Sequence, residues 1–506
     1  MGFDSAGAAE PYVEYRLPHL LQLRDSVRPA ARLRALLSLQ GKQAFTYGWD
    51  TAFAIRLPDA NAAIIKAGSS PKTFSQVAPD DSSVSTNGTF GPWQICRGGD
   101  GILIHFAIPI TTGTVSYSGN NYAMAGAVAT IEVKLTHIPP QPTTGKPPPS
   151  THKLVVRTVS ANPTDDPVVS VIDLTVPVDP GLIPRSCMKG LLEIWFNAHL
   201  EDFAHVFNTI TLNRMVAQAQ FQWLAPTHTS YAYANGATDD TSILGVLCMT
   251  QQRSAGSIAS QLSPNAIPPG ARSGVLIARE RFLDQMVLPA LPKVFPGSSA
   301  ASFALSVDKN AVINVANVNT KTVTIHDTPY QPVLTSLYIS VSGDEIVVSS
   351  ITRVDIMLGT YCEVTATTYQ RLKLATKPDG TQTLVYEKSR EPISDHAIKS
   401  TAEGDALKAI LALAGLMITA VLSVLTEGAL LVVALIIVGL LVGLLEALPA
   451  LIANVVGNKV SNDSPSLALL VSNSTDPIQW PGGSAFVLSW AGMNDSLQLG
   501  GNPGFA

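Results

Sequence analysis

The stretch that most limits how this 506-residue chain can fold is residues 409–445, which hold a single charged side chain, Glu427. A helix that is apolar on every side must lie in a protein core or in a bilayer. Glu427 and Gly428 divide the stretch into two uncharged arms, 409–426 and 428–445, each 18 residues long. As helices they would each run about 27 Å, close to the ~30 Å hydrocarbon thickness of a membrane. The reading is an apolar helical hairpin over 406–456, within a segment 401–460, turning at Thr426-Glu427-Gly428. Lys408 and Lys459 would flank its two ends, with Leu416, Val424, Glu427, Leu431, Gly439 and Gly443 as its contact positions. The Gly439/Gly443 step would allow close helix approach. A charge at the bilayer centre costs about 2.5–3.5 kcal/mol. Burial against the protein's own apolar surface, or reversible membrane engagement, is therefore expected over a constitutive span.

The rest of the chain is strand-like. Phe53, Ile55 and Leu57 alternate with Ala54 and Arg56, and Ile131, Val133 and Leu135 with Glu132 and Lys134. The same holds for Ile172, Leu174 and Val176, and for Leu337, Ile339 and Val341. Segments 362–375 and 382–388 flank a Lys377-Pro378-Asp379-Gly380 turn. Period-two patterns joined by short turns predict antiparallel sheets. Residues 466–471 and 485–490 also read as strands, and the Pro-rich 138–150 reads as a stiff surface loop. Helices are expected after Pro58, over 184–205, and over 279–295 with a bend near Pro289. Strand, helix, Lys66, a Ser pair and Phe74 recur as strand, helix, Lys293, a Ser pair and Phe303. The fold class read here is α+β, mainly antiparallel β, with two similar modules at 45–185 and 186–400, and C-terminal strands at 461–506 returning to the sheet. Residues 1–44, with Arg24, Arg28 and Arg32 on one potential helix face, read as a loosely docked extension.

Function classes narrow by composition. The chain is 46% apolar and 14% charged, with 33 Lys+Arg against 38 Asp+Glu. That excludes overall disorder and lacks the basic excess of a nucleic-acid binder. Cys96, Cys187, Cys248 and Cys362 stand too far apart in sequence for a zinc framework. No signal peptide is visible, so a cytoplasmic or peripherally membrane-associated protein is expected. No nucleophile elbow, zinc-binding helix or phosphate loop occurs. His199 and His205 would fall on different helix faces. The pairs Asp80-Asp81, Asp165-Asp166 and Asp239-Asp240 lack calcium-loop spacing. No catalytic residue, metal or cofactor is expected.

Two segments carry a family resemblance. One is Thr46-Tyr47-Gly48-Trp49-Asp50-Thr51-Ala52-Phe53-Ala54-Ile55; the other is Phe90-Gly91-Pro92-Trp93-Gln94-Ile95, followed by Gly98-Gly99-Asp100-Gly101 and Ile108-Pro109-Ile110. Both resemble the clostridial accessory proteins encoded beside botulinum neurotoxin genes, the "P-forty-seven" proteins and their OrfX relatives. Trp223-Leu224-Ala225-Pro226, Tyr231-Ala232-Tyr233, Phe282-Leu283 and Met286-Val287-Leu288-Pro289 are similar too. The resemblance implies the TULIP (tubular lipid-binding) fold, curved antiparallel sheets wrapped around long helices. It also implies non-catalytic binding of a lipid or other hydrophobic ligand in an apolar groove. Expected partners are that ligand, a membrane, and a partner toxin or accessory proteins. Groove candidates are Trp49, Phe53, Trp93, Ile95, Trp195, Phe196 and Phe282; core filling is the competing role for each. The alternative function is a membrane-inserting or toxin-accessory protein acting through the hairpin.

Overall fold

A computed structural model describes residues 12–17, 43–68, 70–138, 151–156, 167–200, 211–213, 219–444, 449–475, 478–479 and 484–504. The chain forms two compact units, one of residues 1–43, 279–468 and 492–495, the other of 44–278, 469–491 and 496–506. The change of unit thus falls at 278–279 rather than at 185–186. The helix Leu182–Ala198 explains why, since it packs on strands Thr73–Val77, Leu103–Tyr117 and Val169–Thr175 of its own unit.

The first unit is a nine-stranded antiparallel sheet with one long helix against it. Strands Val333–Ser342, Glu345–Met357 and Thr360–Thr376 form its middle. On Glu345–Met357 the residues Ile346, Val348, Ser350, Thr352, Val354 and Ile356 all point inward, as period-two alternation requires. The helix, Gly404–Val442, has 39 residues, so it is about 58 Å long. Its Ala414, Met417, Ile418, Val421 and Leu425 pack on Val354, Cys362, Val364, Ala366 and Ile398.

This one helix replaces the turn expected at Thr426-Glu427-Gly428. A single acid does not stop a helix when it can reach water. Glu427 lies on an exposed stripe with Leu416, Thr419, Ser423 and Thr426, and glutamate is a good helix former. Thr419 and Thr426 direct their hydroxyls to the carbonyls of Gly415 and Leu422 at 3.0 and 2.9 Å. The helix stops at Gly443, whose φ of 85° suits glycine alone. Gly443 therefore ends the helix and Gly439 lies one turn inside it, its carbonyl accepting the Gly443 N–H at 2.9 Å, so the pair is not a contact step between two arms. The chain does fold back, but later, through a short helix Pro449–Val456 that packs on the long one. The long helix is long and apolar enough to cross a membrane, yet 56% of its most apolar window is buried, and residues 432–441 are all buried.

The second unit holds a ten-stranded and a six-stranded sheet. In the six-stranded sheet, Thr51–Arg56 lies between Ile243–Thr250 and Ser273–Ile277. Every residue of the latter two is buried. Alternation here hid a strand covered on both faces, and Leu57 begins the following helix. The two strands of the expected repeat are antiparallel neighbours in this sheet, with Phe53 opposite Val275. The helical run after Ser273–Ile277 is irregular, with a π turn at Leu283–Val287 and a 3-10 turn at Leu288–Ala290, because Pro289 cannot donate to the ladder. A bulge between Val171 and Asp173 shifts the phase of Val169–Thr175, so Ile172 faces solvent. Segment 466–471 is not a strand; Ser466 accepts the Ala468 N–H and starts a helix, Ala468–Thr475. Ser496–Gly504 pairs with Ser273–Ile277, as a returning C-terminal strand should. The Arg24, Arg28 and Arg32 stripe, loop 139–150, His205 and Asp165-Asp166 lie outside the described residues.

Part of the N-terminal extension is an edge strand. Val13–Tyr15 pairs with Ile398–Ser400 of the nine-stranded sheet. Arg16 forks onto the Asp395 carboxylate at 2.7 and 2.8 Å, and the Leu17 N–H donates to His396 Nε2 at 2.8 Å. Burial pulls the Asp395 carboxyl upward, but the Arg16 hydrogen bond, the His396 N–H and nearby positive charge hold it below the ordinary carboxylate value. A depressed acid stabilises the pairing above its ordinary pKa of about 3.9 and loses it as pH falls through the lower folded value. Arg16→Ala is expected to speed amide exchange at residues 13–17 at pH 7 without loosening Glu345–Met357. Unchanged exchange would mean that the backbone pairing alone holds the strand.

Candidate functional site

The seven groove candidates are all buried, and the structure brings together only some of them. Phe90 is the centre of a ring cluster, 5.6 Å from Trp93, 5.2 Å from Trp195 and 5.9 Å from Phe196. Ile95 is fixed nearby, its N–H donating to Asn61 Oδ1 at 2.7 Å. Trp49 stands apart, donating from Nε1 to the Ala259 carbonyl at 3.0 Å and stacking on His228. Phe53 sits in the covered strand and Phe282 in the irregular helical run. The Thr46–Ile55 motif has a structural job. Asp50 is buried and accepts the Thr250 N–H and hydroxyl at 2.7 and 2.9 Å, with Arg253 at 2.9 Å.

A cavity that could take a ligand lies elsewhere, in the first unit. It has a volume of about 220 Å³ between the middle of the long helix and the sheet. Leu334, Leu337, Val348 and Ser350 form its sheet wall, Val294 and Phe295 one end, and Val424, Leu425, Gly428, Leu431 and Val432 its helix wall. None of the seven aromatic and aliphatic candidates lines it, whereas Val424, Glu427 and Leu431 of the expected hairpin do. Gly428 opens the space: a Cβ built there meets no heavy atom within 4 Å. At the rim, Lys321 Nζ lies 3.5 Å from Glu427 Oε2, with the two side chains 72% and 63% exposed. Such a solvated pair contributes little stability, but it marks one polar edge on an apolar cavity. The sheet-side wall was missed because its residues read as ordinary strand alternation. Gly428 within an otherwise apolar helix was the signal available.

Elsewhere the chemistry is quiet. Burial pushes the Cys96 thiol up to about 11 and Cys362 to about 12, and raises Cys248 further. Protonated thiols are poor nucleophiles and ligands. Among the described residues no three His, Cys, Asp or Glu side chains gather where a metal could sit. Asp81 caps Ser83 at 2.9 Å, and Asp239 and Asp240 lie in a short 3-10 turn. His199 bonds its own helix at the Trp195 carbonyl.

Comparison with known proteins gives one consistent picture. The model of an OrfX-like family, described as Protein OrfX2/OrfX3/P47, matches residues 46–501. Protein OrfX3 of Paraclostridium bifermentans is 30% identical over 491 residues, covering 91% of this chain and 98% of that protein. Protein OrfX3 of Clostridium botulinum (strain Kyoto / Type A2) is 30% identical over 502 residues, again covering 91% and 98%. Among solved structures, P47 from Clostridium botulinum A2 superimposes with a TM-score of 0.59 at 17% identity, covering 91% of this chain and 98% of that one. P47 of Clostridium botulinum E1 gives 0.58 at 14% identity, covering 90% and 99%. These two structures share the fold. The family match begins at Thr46, the first residue of the quoted motif.

Proposed function

This chain belongs to the OrfX-like family, and from that premise we propose that it binds a lipid or another hydrophobic ligand without catalysing a reaction. The observation that carries the reading is the apolar cavity between the long helix and the nine-stranded sheet, with its single charged rim at Lys321 and Glu427. Apolar lining with few polar groups is the usual make-up of a small-molecule site. Its volume of about 220 Å³ exceeds the ~150 Å³ that holds benzene. It is too small for a whole two-chain lipid. One chain end or ring enters, and the rest of an amphiphile stays at the rim. A membrane is the natural source of such a ligand, and the proposed location is cytoplasmic or peripherally membrane-associated. A partner toxin or accessory protein is the proposed recipient or companion. The reading needs no cofactor and no metal.

Membrane insertion through the long helix is the competing reading. It would require residues 432–441, all buried, to leave their packing and face lipid. The test of the preferred reading is native mass spectrometry of the purified chain with solvent extraction, followed by displacement of a fluorescent lipid. Copurifying lipid or saturable displacement is expected. If neither is seen, no hydrophobic ligand binds and the reading fails.

A further inference from the structure

Among the described residues that line the cavity, only Lys321 and Glu427 are charged, and they have opposite signs. The two hydroxyls in the lining are turned to backbone of the chain itself. Thr320 donates to the Pro332 carbonyl at 3.2 Å and Ser350 to the Ala366 carbonyl at 3.5 Å. Polar recognition of anything seated in the cavity therefore falls to the rim. The rim pair is loosely held. Lys321 Nζ stands 3.5 Å from Glu427 Oε2, and the Ser423 hydroxyl stands 3.5 Å from Glu427 Oε1. Both contacts are at the long limit of hydrogen bonding. An exposed pair of this kind contributes little stability, so little is lost when the two side chains part to meet a ligand.

We propose that the cavity takes a single-chain zwitterionic amphiphile. Its tail enters between the helix and the sheet, the anion of its head sits on Lys321, and the cation of its head on Glu427. This rests on the cavity being the ligand site. A head with one charge would meet one attracting side chain and, right beside it, one repelling side chain. A zwitterion laid antiparallel to the pair meets an opposite charge at each end. Its head stays in water at the rim, so its charges escape the penalty of entering the apolar interior. Tail burial supplies most of the affinity, and the rim supplies the choice among heads.

The test is calorimetry on the full chain with four probes of like tail, each below its micelle concentration: decyl phosphocholine (zwitterionic), decanoate (anionic), decyltrimethylammonium (cationic) and decyl glucoside (uncharged). At low salt the wild type is expected to bind decyl phosphocholine about twofold to fivefold more tightly than the other three, the size of an exposed ion pair. In 1 M salt, where charges are screened beyond about 3 Å, that preference is expected to fade. Glu427→Gln is expected to turn the preference towards decanoate, and Lys321→Gln towards decyltrimethylammonium, while decyl glucoside binds all three proteins equally. Both positions are exposed, so neither variant is expected to shift thermal unfolding. The same order of heads in the wild type and both variants, or an order that survives high salt, would overturn the proposal while leaving the cavity a ligand site. So would tightest binding of any other probe by the wild type. Binding of none of the four by the wild type would remove both the proposal and the cavity reading.

Discussion

Gly428→Leu is expected to weaken binding of the proposed hydrophobic ligand while leaving the protein folded, and Gly428→Ala to make it more stable. A glycine inside a helix is less favourable than alanine by about 0.8–1.0 kcal/mol. It persists at 428 in a helix with helical residues on both sides. No steric reason keeps it there, since an added Cβ meets nothing within 4 Å. The space beyond is the cavity of about 220 Å³. Leucine places four carbons in that space. Each ligand methylene it displaces forfeits roughly 0.8 kcal/mol, so two to three displaced carbons weaken binding roughly 15- to 60-fold. Displacement of a fluorescent lipid reads the loss, and thermal unfolding reads a rise of about 2–4 °C for alanine in a unit of this size. Full binding by the folded leucine variant would place the ligand elsewhere. A loss of stability in the alanine variant would mean that the space around Gly428 is closed in solution.

How much of this was legible in the sequence depends on what each residue had to do. Strands with one wet face declared themselves, because inward Ile346, Val348 and Val354 alternate with outward partners. The pattern misled where both faces are dry, as at Thr51–Arg56, and where a bulge moved Ile172 to the surface. The long helix was legible as apolar but not as continuous. One acid and one glycine look like a turn in sequence; in the fold the acid reaches water beside Lys321 and the glycine opens a cavity. The true stop, Gly443, depends on a backbone angle that composition does not reveal. The site was legible only on its helix side, through Val424, Glu427 and Leu431. Its sheet side is assembled from Leu334, Leu337, Val348 and Ser350, which lie 74–90 residues before Val424 in sequence. The aromatic residues in and around the family motifs pointed to packing. Phe90 and its ring neighbours, and the buried carboxylate of Asp50, hold the second unit together.

Ile436→Asp is expected to unfold the first unit, whereas Leu416→Asp, on the same helix, is expected to change little. Ile436 is fully buried among ten consecutive buried residues, and Leu416 is 47% exposed. A carboxylate at 436 loses the isoleucine's packing and must be desolvated or protonated, with no cation among residues 432–441 to pair with it. Together these exceed about 4–5 kcal/mol, the range reserved for severe core lesions. That is a large share of the ~5–15 kcal/mol by which a domain is stable. At 416 the aspartate meets water, and surface changes of that kind stay within about 0.5 kcal/mol. The two variants also separate a core helix from a membrane-spanning one. Twenty residues of helix hold the two positions about 30 Å apart, the thickness of the hydrocarbon core, so a span could carry only one of the acids near its centre, at about 2.5–3.5 kcal/mol of insertion, and the sheet would fold in water regardless. Urea unfolding with liposome flotation of the wild type and both variants gives the answer. Strong destabilisation at 436 with near-wild-type behaviour at 416 fits a helix held by its own sheet. Loss of flotation in either variant, with urea midpoints untouched in both, would mean that the helix leaves the sheet for the membrane.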